Sequence, residues 1–222
     1  MKMKSIIYSV AAASIAMMGF DAMACTNLLA GKNATIDGSV LISYAADSHT
    51  LYGDLQYLPA ADHKPGDMRE IREWDTGKHL GNIPEVAHTY AVVGNINEHQ
   101  VTVAESTLGG RRIIKKNTKD AIIDYGSLIY LALQRSRTAR EAIKVMTDLV
   151  AKYGYCSEGE SFSIGDPNEL WVMEMIGKGG KEKGAVWVAI RIPDDCISAH
   201  ANQSRIYRIP LKDKQNCMYS KD

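Results

Sequence analysis

Ala22-Met23-Ala24-Cys25-Thr26-Asn27-Leu28-Leu29-Ala30-Gly31 is the stretch on which the whole reading turns. Ahead of it, Met1 to Ala24 has the composition of a secretory signal peptide. Lys2 and Lys4 give the positive start, Ile6 to Phe20 the short apolar core, and Ala22-Met23-Ala24 the small-x-small cleavage site. Behind it, Thr26 to Ala30 reads as a strand stopped by a Gly31-Lys32-Asn33 turn. Cleavage after Ala24 is expected to leave Cys25 first in the mature chain. A first-position cysteine carries a nucleophilic thiol and a free α-amine, and the amine titrates at roughly 7.7–8.0, so it can serve as the base. Three other readings stay open for Cys25: a structural thiol, half of a disulfide, or the lipid-bearing cysteine of a lipoprotein. Ala22, standing where a lipobox usually has leucine, suits ordinary signal peptidase better.

Outward from this point, Asp37-Gly38 predicts a turn and Val40 to Tyr44 a second strand, making a hairpin that holds Cys25 against a sheet. Leu51 to Pro84 reads as irregular, broken by Pro59, Pro65, Gly66, Gly77 and Pro84. Tyr90–Gly94 and Gln100–Glu105 read as a second hairpin joined by Asn95–His99. Two helices follow. The first is expected from an N-cap at Thr118, with Ala121, Ile122, Tyr125, Leu128, Ile129 and Leu133 at helical spacing. The second starts at Thr138 with Glu141 at the capping-box position and stops at Gly154. Ser161–Ile164, Glu169–Ile176, Ala185–Ile192 and Ile197–Ala201 then predict a four-strand meander. Two hairpins, a helix pair and a meander give an α+β layered domain with antiparallel sheets, not a doubly wound one.

The 222 residues carry 26 basic and 26 acidic side chains. Loss of Lys2, Lys4 and Asp21 with the leader leaves 24 and 25, which gives no electrostatic case for nucleic acid. No second apolar run of about 18 residues occurs, so no membrane span is expected in the mature chain. Cys156, Cys196 and Cys217 are too sparse for a disulfide framework, and their pairing is left open. His49, His63, His79, His88 and His99 lack metal-ligand spacing, so neither a metal nor another cofactor is expected.

Cys25 to Lys32, Asp37-Gly38-Ser39, Asp47-Ser48, Gly94 to Glu98, Ala104 to Thr107, Thr138 to Ile143, Gly159 to Phe162 and Ser198 to Gln203 occur in an order that resembles secreted dipeptidases of the dipeptidase A type. These are N-terminal-nucleophile (Ntn) cysteine hydrolases, relatives of penicillin V acylase and bile salt hydrolase. The resemblance implies an αββα sandwich over residues 25–222, in this sequence the N-terminal part of a longer family domain. It also implies an exported, periplasmic or extracellular enzyme acting on a small peptide, with a homo-oligomer left open.

By the same resemblance Cys25 is the nucleophile, Asp47 orients its ammonium, and Asn202 donates to the oxyanion. Glu105, Ser106 and Thr107 are candidate substrate contacts. His200, within an alternating strand, reads as structural rather than as a papain-like partner of Cys25. Two departures matter. Tyr44 stands where many relatives carry arginine, with Arg111 or Arg112 as a candidate substitute, and relatives run on beyond Asp222. Two alternatives to a dipeptidase stay open: an Ntn acylase on another small amide, and an inactive lipid-anchored or binding remnant.

Overall fold

The structure is a computed structural model that describes residues 24–47, 53–109, 120–180 and 182–221. In chain order its elements are β1 (Ala24–Ala30), β2 (Leu41–Asp47), β3 (Tyr57–Leu58), β4 (Ala61–Asp62), β5 (Met68–Arg72), β6 (His79–Pro84), β7 (His88–Thr89), β8 (Val92–Val93), β9 (Ile96–Asn97), β10 (Thr102–Thr107), α1 (Tyr125–Arg135), α2 (Ala139–Tyr153), β11 (Glu160–Gly165), β12 (Leu170–Gly177), β13 (Ala185–Ile192), β14 (Ile197–Ala201) and β15 (Cys217–Tyr219). Every strand pairing is antiparallel, so the fold is α+β as the element order predicts.

Two sheets matter for the site. A large one runs β15-β13-β12-β11-β10-β9-β8-β3, and a small one runs β14-β1-β2. Strand alternation sorts the core between them. Odd-numbered Trp171, Met173 and Met175 of β12 join Phe162, Ile164 and the inward residues of both helices. Even-numbered Leu170 and Val172 meet Leu29 of β1, flanked by Val40 and Ile42. The large sheet therefore has helices on one face and the small sheet on the other.

The β1–β2 hairpin forms as expected, with Cys25 opposite Ala46 and Ala24 opposite Asp47. The second helix begins and ends where its caps predict. Thr138 Oγ1 accepts from Glu141 N at 3.2 Å, and Gly154 closes it at φ 77°. Its N-terminus departs from a capping box in one detail: the Glu141 carboxylate accepts from Arg137 N at 2.8 Å, one residue ahead of the cap.

Four expectations are corrected. The first helix starts at Tyr125. Asp124 caps it, accepting from Ser127 N at 3.2 Å while its other oxygen accepts from Trp74 N at 2.8 Å, and Ala121 to Ile123 enter the core as non-helical chain. Thr118 lies outside the described residues. Within the stretch read as irregular, β5 and β6 pair as a hairpin. Few of their side chains are apolar, and only Ile71 and Ile83 are fully buried, so the alternation is faint. The expected second hairpin divides: β8 pairs with β3 and β9, while β10 pairs with β9 at one position and with β11 along its length.

The fourth correction is the meander, which breaks after β13. β14 crosses to the small sheet and pairs with β1, and β15, inside the tail read as polar, takes the edge beside β13. The crossing brings the Asp194 carbonyl against Gly31, where an added Cβ would lie 2.5 Å from that oxygen. All four cysteines are free thiols.

Candidate active site

Strand β10 organises the site because, among the described residues, one of its edges has no strand partner beyond Thr102. Alternate carbonyls, those of Val103, Glu105 and Thr107, point out of that edge and need donors. Each receives a side-chain amide. Asn95 Nδ2 donates to Val103 O at 2.7 Å, Asn27 Nδ2 to Glu105 O at 3.1 Å, and Asn202 Nδ2 to Thr107 O at 2.8 Å. Asn27 belongs to β1 and Asn202 follows β14, so these amides dock the small sheet on the large one. They bring Cys25, Glu105 and Asn202 together from three distant parts of the chain.

Asn202 has its amide orientation fixed by these partners. A carbonyl only accepts, so Nδ2 faces Thr107, and Oδ1 accepts from Cys25 N at 2.8 Å. The expected oxyanion donor thus grips the nitrogen on which the base chemistry depends. The Cys25 thiol donates to Glu105 Oε1 at 3.7 Å, and Tyr44 Oη donates to the same oxygen at 2.7 Å. Tyr44, at the position where arginine was expected, therefore gives Glu105 a neutral donor in place of a cation. Arg111 and Arg112 lie outside the described residues. Ser106 Oγ donates to Cys25 O at 3.5 Å.

Burial pushes the Cys25 thiol up to about 12, with help from the Glu105 charge and hydrogen bond and the Glu160 charge. The backbone of Thr107 works the other way. With a peptide bond still on its nitrogen, this thiol is held neutral. Burial is also the main cause that lifts the Tyr44 hydroxyl far above its ordinary value, so it stays a donor.

Asp47 is exposed at the end of β2, opposite Ala24 in register, next to where a terminus cut after Ala24 would form. His200 is buried against Asn27 and Ser163. Its Nε2 lies 3.0 Å from Asn27 Nδ2 and 3.4 Å from Ser163 Oγ. Two site residues carried no role in the sequence reading. Asn27, fully buried in an apolar strand, was one, and Glu160 was the other. A lone acid in Glu160-Ser161-Phe162-Ser163-Ile164 was the available signal for the latter. The Asn95 and Asn97 motif proves structural: Asn97 Nδ2 caps the end of α1 at Leu133 O and Ser136 O.

Cys25 thus sits on a strand with its nitrogen held by half-buried Asn202 and its sulfur by buried Glu105. The sequence profile of Peptidase family C69 matches residues 24–63 and 55–222, and the chain belongs to that family. Among curated relatives it is 32% identical over 219 residues to a "Probable dipeptidase" of Latilactobacillus sakei, covering 89% of this chain and 43% of that protein. It is 29% identical over 217 residues to a "Probable dipeptidase A" of Streptococcus pyogenes serotype M3 (strain SSI-1), covering 90% and 44%. It is 25% identical over 221 residues to a "Probable dipeptidase" of Salmonella dublin, covering 89% and 47%. The chain spans less than half the length of these relatives.

Proposed function

We propose that this chain carries the nucleophile half of an exported cysteine dipeptidase with an Ntn-type αββα sandwich, activated by cleavage after Ala24. The observation that carries the reading is the convergence on Cys25 of Asn202 at its nitrogen, Glu105 at its sulfur and Ser106 at its carbonyl. In the processed chain the Cys25 α-amine takes the thiol proton, and Sγ forms a bond to the peptide carbonyl carbon. In this reading an N–H of the β10 edge stabilises the oxyanion that forms. The ammonium returns its proton to the leaving amine as the C–N bond breaks. Water, deprotonated by the same amine, then attacks the thioester, and the carboxylic acid and thiol are regenerated. Asp47 stands beside the new terminus and steadies its ammonium form. Ser106 braces the Cys25 carbonyl, and Glu105 offers negative charge to a dipeptide's free ammonium.

The surroundings of the sulfur favour a dipeptide over an acyl substrate. Glu105, Tyr44 and Asn202 are polar, whereas an apolar pocket of about 430 Å³ between Leu108, Ile176, Val186, Trp187 and Leu211 counts none of them, nor Cys25, in its lining. The test is hydrolysis of a dipeptide panel by protein processed to Cys25, beside Cys25→Ala and a form with one residue added before Cys25. Both variants are expected to be inactive; full activity in either removes the mechanism.

A further inference from the structure

We propose that Glu160 is a positioning residue of the thiol site, sharing one proton with Glu105 so that the two carboxyls together hold a single negative charge behind Cys25. The proposal begins with register. Thr107 pairs with Glu160 and Glu105 with Phe162, so Glu105 and Glu160 are diagonal neighbours on one face of the β10–β11 ladder, close enough for long side chains to meet. Both are buried, 3% and 1% exposed. Thr107 Oγ1 donates to Glu160 Oε1 at 3.2 Å, and Tyr44 and Cys25 both donate to Glu105 Oε1. The Oε2 atom of each carboxyl is buried without a partner so long as both are ionised.

Two buried carboxylates in contact need a cation or a proton between them. Among the described residues no lysine or arginine forms an ion pair with either. Among the described residues the titratable side chains that face the pair from neighbouring elements are Cys25, Tyr44, Tyr125, Tyr155 and Glu158, all acids. In the processed chain the Cys25 ammonium adds one positive charge, which balances one of the two carboxylates and leaves the other to be neutralised. A proton is therefore the neutraliser the site itself supplies. It belongs on Glu160, which burial first and the Glu105 charge second hold well above the carboxylate range, and whose O–H then donates to Glu105. Glu105 is then the acceptor for Glu160, Tyr44 and the thiol.

The role rests on the dipeptidase reading for its kinetic consequence but not for its direct test. Infrared difference spectra of protein processed to Cys25, recorded against Glu160→Gln in H2O and D2O, should show a buried protonated carboxyl at pH 7 that the variant lacks. Glutamine keeps the donor to Glu105, so dipeptide turnover in Glu160→Gln should stay within about threefold of the parent. Glu160→Leu leaves the Glu105 charge without that donor and should lose about tenfold or more. Absence of the protonated band, or equal losses in the two variants, overturns the proposal. A band without any dipeptide turnover leaves the shared proton standing and removes the substrate reading. Turnover without the band does the reverse.

Discussion

Extending the processed chain by one N-acetylated alanine ahead of Cys25 removes a single charge, and its effect on the thiol can be worked through. With a peptide bond on its nitrogen, the Cys25 thiol sits at about 12 because it is buried and faces Glu105. Removing that bond leaves an ammonium on the same residue. Two unit charges about 4 Å apart at an effective dielectric constant near 20 interact by about 4 kcal/mol, or about three pK units. The thiolate loses intrinsic nucleophilicity by roughly 0.4–0.5 of each unit, so about half of that gain survives, roughly 40-fold in rate at pH 7. The assay is alkylation by iodoacetamide, followed at Cys25 by peptide mass spectrometry. Cys196, exposed on the same molecule, is the internal control and should react alike in both forms. Rates at Cys25 within about threefold of each other would refute the reasoning, because the α-nitrogen would then have no electrostatic hold on the sulfur.

Three further outcomes follow from the same contacts. Asn27→Leu removes the donor to Glu105 O and Ser163 Oγ from a fully buried site and should cost about 2 kcal/mol, lowering Tm by roughly 4–8 °C in a scanning calorimeter. His200 is held below its ordinary 6.5, chiefly by burial, so the unfolded chain binds its proton first. Its share of stability is present above 6.5 and is lost as the pH falls from there toward the folded value. Urea midpoints of His200→Gln should accordingly show a flatter slope than the parent between pH 7 and about 5, and parallel slopes would count against the assignment. Gly126→Ala would ordinarily strengthen a helix, but here the new Cβ falls 2.5 Å from Trp74 Cβ and Cγ. The expected result is a loss of about 1–3 kcal/mol by urea denaturation, and a gain would show that Trp74 moves freely.

The sequence made the locally coded elements legible. The β1–β2 hairpin is set by Asp37-Gly38, where Gly38 adopts φ 77°, and α2 is set by Thr138 and Gly154. Strands β11 to β13 announce themselves by apolar alternation between tight turns. What stayed hidden is decided at long range. Two-residue strands such as β8 and β9 are too short to carry a period. Asp124 caps α1 because it also bonds Trp74, fifty residues away. β14 has the same alternation whichever sheet it joins, and its pairing with β1 goes with the long-range approach of Asp194 to Gly31. At the site, Cys25, Glu105 and Asn202 were visible as chemistry. The grip of Asn202 on nitrogen was not, since an amide has two ends and only the Thr107 carbonyl decides between them.

The asparagines on β10 explain why an unpaired strand edge can also be a reactive one. Direct backbone pairing of β1 with β10 would have satisfied the carbonyls of Glu105 and Thr107, but it would equally have consumed the N–H groups beside them. A side-chain amide separates the two demands. Asn27 and Asn202 satisfy the outward carbonyls, and the Thr107 backbone is left to favour the thiolate. The oxygen end of Asn202 then reaches the Cys25 nitrogen, so a single amide couples the docking of the sheets to the aim of the nucleophile. The edge is blocked against another strand by the same contacts, because its carbonyls are already engaged and β1 and β14 stand across it. Stability of the sheet junction and geometry of the thiol therefore rise and fall together. A substitution at Asn202 cannot loosen one without disturbing the other.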